Sequence, residues 1–311
     1  MKASAQHWAS VGERTFVAGT WLLWCVYRIF GRSLFSVCLI PVVGWYWAVS
    51  PMARAASLQY LQRVQNAQAV IGHAPDWHDT LHHFLSFAQA LLDKLLVISG
   101  RYPFDEVRCE GWDSISPFLK AGRGAVIVTA HCGCLELCCA LAQRISGRVL
   151  TVLVHTAHAD RFNRILQRLD PGNSVCMLQV SQVNAGTAVL LGECIKRGEL
   201  VVIVGDRVPL HASKTVSLPF LGVQALLPVG AYMLAALLQC PLFFMGCVRE
   251  ASCHVVVCEE LADRVDLPRS RRDEALKEMA QRYVASLEAL LRRAPYDWFN
   301  FFPFWDQGST T

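Results

Sequence analysis

Residues 124–141 read GAVIVTAHCGCLELCCAL, and the parsing of this stretch decides the fold. The run Ala125 to Ala130 has the length and β-branched content of a fully buried strand, and it stops at His131 before a small-residue turn. After Gly133, the residues Leu135, Leu137, Cys138 and Leu141 recur at roughly helical spacing. His131 therefore sits at the carboxyl end of a strand and Glu136 in the first turns of a helix. In parallel α/β sheets ligands bind in the crevice outside the strand carboxyl ends, and a helix start adds unpaired amide donors there.

The spacing His131-x-x-x-x-Glu136 has a physical use. If the turn at Gly133 folds the helix back over the strand end, the carboxylate reaches one imidazole nitrogen, fixes the tautomer and stabilises the imidazolium. The other nitrogen is then free to act as a general base on a hydroxyl. Two such residues five apart also arise by chance, and a satisfied histidine at a strand end is the competing reading.

Outward from this unit, strands are expected near 107–110, 149–154, 175–179, 200–204, 242–248 and 253–258, with helices between most of them. This pattern predicts an α/β fold with a largely parallel central sheet flanked by helices. The strand at Val201 to Val204 ends in Gly205-Asp206-Arg207, which places an acid and a base at a second strand end, where they can meet the His131 crevice or simply form a buried ion pair. Leu218-Pro219-Phe220-Leu221-Gly222 is expected to turn sharply before an apolar helix near 229–239, and Gly222 suits either close backbone approach or plain turn geometry. The segment His155 to Arg168 carries Arg161, Arg164 and Arg168 on a piece of helical pattern, for which a solvated face is the bland reading. Gly122-x-Gly124 precedes a strand instead of following one, so it is a turn and no phosphate loop.

Composition narrows the classes. The chain is 53% hydrophobic and only 17% charged, with nine tryptophans and a mean hydropathy of +0.31, which points to membrane contact beyond an ordinary core. A net charge of +4 is too small for the dense basic stripe of a nucleic-acid binder but suits an anionic lipid surface. The 13 cysteines lie mostly inside apolar runs, as reduced core residues do. The group His131, Cys132, Cys134, Cys138 and Cys139 lacks the second, separated ligand pair of a tetrahedral zinc site, so no metal is expected. Either Cys132 or Cys134 beside the histidine leaves a thiol mechanism open.

At the amino end, apolar runs at Phe16 to Tyr27 and Leu34 to Val49 are separated by Arg28, Gly31 and Arg32. Their length fits an interfacial or re-entrant hairpin or one span, and the aromatic residues around them suit a headgroup boundary. Leu81 to Leu96 repeats its apolar residues at i, i+3, i+4 and i+7, as a core helix or one wall of an acyl groove does. The tail PYDWFNFFPFW, residues 295–305, is too aromatic for a free terminus and should pack on the domain or dip into the interface.

Taken in order, these pieces resemble the lipid A late acyltransferase (lauroyl/myristoyl acyltransferase-like) family, a branch of the lysophospholipid acyltransferase superfamily. The likeness rests on the apolar amino terminus, AHCGCLE as an HxxxxE box, HADRFNRIL, VGDR, LPFLG leading into ALLPVGAYMLA, and the aromatic close. It implies a membrane-anchoring segment at 1–50 and an acyltransferase domain at 51–311. The implied reaction moves an acyl chain from a thioester of acyl carrier protein or CoA to a hydroxyl of a lipid acceptor. It needs no cofactor and takes place on the cytoplasmic face of the bacterial inner membrane. Carried over residue by residue, His131 would be the general base and Glu136 its orienting carboxylate. Arg161, Asn163, Asp206 and Arg207 would line the site, with Phe220 and Gly222 at the acceptor.

Overall fold

The computed structural model describes residues 27, 31, 35, 37–154, 175–179, 185–208, 214–251 and 253–308. Helix α1 covers Val37–Val49, followed by α2 (Pro51–Gln68) and α3 (Trp77–Ile98). Then come β1 (Val107–Glu110), α4 (Trp112–Lys120), β2 (Ala125–Thr129), α5 (Leu135–Ser146), β3 (Leu150–Val154) and β4 (Val175–Gln179). Helix α6 (Ala185–Lys196) and β5 (Leu200–Val204) precede a hairpin of β6 (Thr215–Phe220) and β7 (Val223–Pro228). Helix α7 (Gly230–Leu238), β8 (Leu242–Glu250), β9 (Cys253–Ala262) and α8 (Arg272–Arg293) complete the set.

Seven strands form one sheet in the order β1-β9-β8-β2-β5-β3-β4. Only β8 and β9 pair antiparallel; the other pairings are parallel. The expected α/β architecture with a largely parallel sheet is therefore the observed one. Central strand β2 shows why. Val126 and Val128 enter one core with α2, α7, α8 and the aromatic tail, while Ala125 and Ile127 enter the other with α1, α3, α4 and α5. A strand apolar on both sides can be satisfied only between two helical layers.

One element departs from expectation. Instead of a single sharp turn, 215–228 folds into a two-stranded antiparallel hairpin, with Phe220 opposite Val223. Leu221 (φ 50°) and Gly222 (φ 77°) make its two-residue turn, the positive-φ geometry that matches strand twist. Leu221 takes a conformation that favours glycine, and its N–H donates to Glu288 Oε1 on α8 (2.6 Å), which anchors the turn to the domain.

Much of the amino-terminal run lies outside the described residues. Its last part, α1, is a short apolar helix with two different faces. Leu39 and Val43, with the preceding Phe35, are buried against α3, whereas Val37, Ile40, Trp45 and Val49 are more than half exposed. Helix α3 is long and apolar enough to cross a membrane by length and composition, yet its Leu92, Leu96, Val97 and Ile98 are buried in the domain core.

Candidate active site

Sheet register brings two strand ends together. Thr129 of β2 pairs with Val204 of the parallel neighbour β5, and the ladder continues as the Gly205 N–H donates to the Thr129 carbonyl (2.8 Å). Two residues beyond the Thr129–Val204 pair on each strand lie His131 and Asp206, facing each other across the carboxyl edge of the sheet. Nδ1–H of His131 donates to Asp206 Oδ1 (2.8 Å), and the His131 backbone N–H donates to Oδ2 (3.0 Å). The indole Nε1–H of Trp298 also donates to Oδ2 (2.8 Å).

Asp206 is buried, its side chain 2% exposed, while the imidazole is 36% exposed. Nε2 of His131 has no hydrogen-bond partner among the described residues, so it is the open nitrogen of a ring whose tautomer the aspartate fixes. Burial alone would raise the Asp206 carboxyl, but the His131 ring, the Arg207 guanidinium and the donated hydrogen bonds hold it well below the usual carboxylate range. His131 moves down from its ordinary value, through burial first and the Arg207 charge second, against the upward pull of Asp206; Lys94 adds a smaller downward push. The net downward shift favours the neutral imidazole, the state a general base needs.

Glu136 is not the carboxylate on His131. It lies in the first turn of α5, behind the N-cap Cys134, and its Oε1 pairs with Lys94 Nζ of α3 at 2.5 Å. The turn at Gly133 carries the helix onto α3 instead of back over the strand end, so five residues of spacing do not close on the imidazole. Glu136 holds the Lys94 ammonium protonated, and that charge is felt at His131. The site thus contains two carboxylate pairs, one aligning the base and one fixing a cation beside it.

The other expected site residues separate into three groups. Arg207 adjoins the dyad, donates through Nη2 to the Phe299 carbonyl (3.1 Å) and lies 5.4 Å from the Phe302 ring centroid. Phe220, expected at the acceptor, is fully buried between Trp298, Phe304 and Trp305; it packs behind Trp298 and lines no open surface. Gly222 occupies the exposed hairpin turn. Arg161 and Asn163 fall outside the described residues.

The thiols beside the histidine are unsuited to acyl capture. Cys132 and Cys134 are 2% and 1% exposed, and burial raises both thiols well above their ordinary range, so neither supplies a thiolate near neutrality. Two contributors escaped the sequence reading. Lys94 was visible only as one cation inside LLDKLL, and Trp298 was one aromatic among the seven of the tail.

An aspartate-aligned imidazole with an open nitrogen is a group able to take a proton from a hydroxyl, and Arg207 and Lys94 place positive charge where it acts on this ring. No curated protein matches the chain. The model of the bacterial lipid A biosynthesis acyltransferase family matches residues 19–307, nearly the whole length, and the chain belongs to that family.

Proposed function

We propose that this acyltransferase moves a fatty acyl chain from a thioester, on acyl carrier protein or CoA, to a hydroxyl of a lipid acceptor at the cytoplasmic face of the inner membrane. His131 Nε2 takes the hydroxyl proton while Asp206 stabilises the resulting imidazolium. The alkoxide oxygen adds to the thioester carbonyl, and Lys94 and Arg207, whose charges act on His131, are the candidates to stabilise the oxyanion. Collapse of the tetrahedral intermediate forms the ester, breaks the carbon–sulfur bond and releases a thiolate that recovers the proton from His131. No step uses a metal or an organic cofactor. The carrying observation is the His131–Asp206 pair at adjacent parallel strand ends with Nε2 unengaged.

The test combines the full chain in detergent with a long-chain acyl carrier protein thioester, acyl-CoA in a parallel arm, and a bacterial total-lipid extract. Mass spectrometry follows donor and lipid. A new acylated lipid that disappears with His131→Ala is the expected result and identifies the acceptor. Free fatty acid as the main product, with lipid present, would replace transfer by hydrolysis.

The apolar outer face of α1, continued by Met52 and Trp77, supports seating of the domain on the bilayer, since a patch of this kind is seldom left to water. Ile40→Lys with Trp45→Lys places two cations on that face without touching its buried side. The double variant is expected to move the protein from the membrane pellet toward the soluble fraction at high salt while retaining turnover on a detergent-dispersed acceptor. Unchanged sedimentation would assign attachment to other segments.

A further inference from the structure

One short segment of the aromatic tail grips both members of the dyad. Its backbone forms an antiparallel bridge, Cys132 with Trp298. The Phe299 N–H donates to the His131 carbonyl (2.9 Å), and the Gly133 N–H donates to the Asp297 carbonyl (2.8 Å). Its one indole in this stretch donates to Asp206. Histidine is thus held through main chain and aspartate through a side chain, by residues that follow the last helix of the domain.

The segment itself is tied down at nearly every position. Tyr60 OH donates to the Pro295 carbonyl (2.7 Å), and Tyr296 OH to Asp79 Oδ1 (2.7 Å). Asp297 accepts from Ser86 Oγ (2.6 Å) and from the Arg249 N–H (2.7 Å). The Trp298 carbonyl accepts from Nε2 of the fully buried His83 (2.9 Å), whose Nδ1 accepts from Ser57 Oγ (2.8 Å). Trp298 is 1% exposed, with Tyr60, Phe220 and Phe304 packed edge-on around it. The indole therefore has one available orientation.

We infer that Trp298 is a positioning residue of the active site: its indole N–H, carried on the 295–300 strap, sets the rotation of the Asp206 carboxylate that aligns His131. The inference rests on the His131–Asp206 reading above. The terminal torsion of an aspartate is soft, so direction must come from donors. Among the described residues, Oδ1 has the imidazole alone to hold it, and Oδ2 has the His131 backbone N–H and the indole. Without the indole, Oδ2 keeps one donor, attached to the residue being aligned. The strap then no longer transmits its rigidity to the carboxylate.

Trp305 provides the internal comparison. It lies in the same tail, is 9% exposed and stacks on Phe220, but its indole N–H is buried without a partner among the described residues. Trp298→Phe and Trp305→Phe each remove one buried indole N–H while keeping an aromatic ring. Only the first removes a hydrogen bond to the dyad.

The experiment measures kcat, KM for the acyl donor and the pH dependence of kcat/KM for both variants of the full chain. A hydrogen bond to a charged group that aligns a catalytic base corresponds to a loss of about tenfold or more. Trp298→Phe is expected to lower kcat by about that factor with donor KM little changed. A carboxylate that loses a donor is more basic and stabilises the imidazolium more, so the acid limb moves to higher pH. The other charges acting on His131, Arg207 and Lys94, and Tyr283 beside Asp206, are unaltered in both variants. Trp305→Phe is expected to leave rate and limb unchanged. Should Trp298→Phe fold poorly, benzothienylalanine at 298 keeps the bicyclic shape, replaces N–H by sulfur and should give the same shift. Equal behaviour of the two Phe variants, with Asp206→Asn inactive, would reduce Trp298 to a packing residue. An active Asp206→Asn would instead overturn the dyad.

Discussion

Asp206→Asn is expected to lower kcat by about 10³-fold, the scale on which loss of an aligned general base acts, while Glu136→Gln lowers it far less. The asymmetry follows from what each carboxylate touches. Asparagine at 206 no longer presents a charged acceptor to Nδ1–H, so neither the tautomer nor the imidazolium formed on proton uptake is supported. The sign of the accompanying pH shift is fixed. Asp206 raises the His131 pKa, so its neutralisation moves the acid limb of kcat/KM further down, opposite to the shift expected for Trp298→Phe. Glutamine at 136 leaves the imidazole contacts intact and removes the carboxylate that Lys94 pairs with. Less of the ammonium charge is then offset, which also favours the neutral imidazole. Glu136→Gln and Lys94→Met should prove non-additive in a double-mutant cycle, because each removes the same pair. Steady-state rates from pH 5 to 9 on the four variants decide it. Equal losses for Asp206→Asn and Glu136→Gln would return Glu136 to the base itself.

Much of this site was legible from residue order, and the part that was not has a definite cause. His131 and Asp206 each follow a buried β-branched run, so both were readable as occupants of strand ends. What the sequence could not specify was that β5 inserts beside β2, so that Thr129 meets Val204. Strand order depends on the crossovers, and local periodicity carries no information about it. Glu136 was drawn toward His131 by counting along the chain. The deciding quantity was the direction in which the Gly133 turn sends α5, which packs on α3 and β8. The seven strands of the sheet were recoverable from their apolar runs. The β6–β7 hairpin was hidden because Pro219 within LPFLG reads as a breaker, whereas in a two-stranded ribbon a proline is tolerated at an edge. The tail was recognisably too aromatic to be free, but its partners at the sheet edge lie 92 residues or more away in sequence, and nothing local announces such a contact.

Gly133→Ala should be a severely damaging single methyl, and the reason joins backbone geometry to the dyad. Gly133 has φ +57°, and a Cβ there would stand 2.2 Å from the carbonyl oxygen and 2.8 Å from the carbonyl carbon of Cys247. Cys247 belongs to β8, which pairs there with β9, Cys247 opposite Val256, and three residues back, at Phe244, with β2, so the strand has little room to retreat. The loop must move instead, and its movement is resisted from the opposite side by the Gly133 N–H bond to Asp297. Conformational strain alone costs about 1–2 kcal/mol; with a backbone clash added, a loss of about 3 kcal/mol or more in stability is expected. Activity should fall further than stability, because displacing the loop carries His131 off Asp206, and a shift of about 1 Å in a catalytic group is enough to lose about 10²-fold. Gly147 ends the same helix with φ +64° and open space around its would-be Cβ, so Gly147→Ala isolates the strain from the clash. Thermal unfolding and kcat measured on the pair should show a small loss of melting temperature with near-normal turnover for Gly147→Ala, and a larger loss with almost no turnover for Gly133→Ala. Matching results would mean that the close approach to β8 does not hold the His131 loop, and that the strap and Asp206 suffice to place the base.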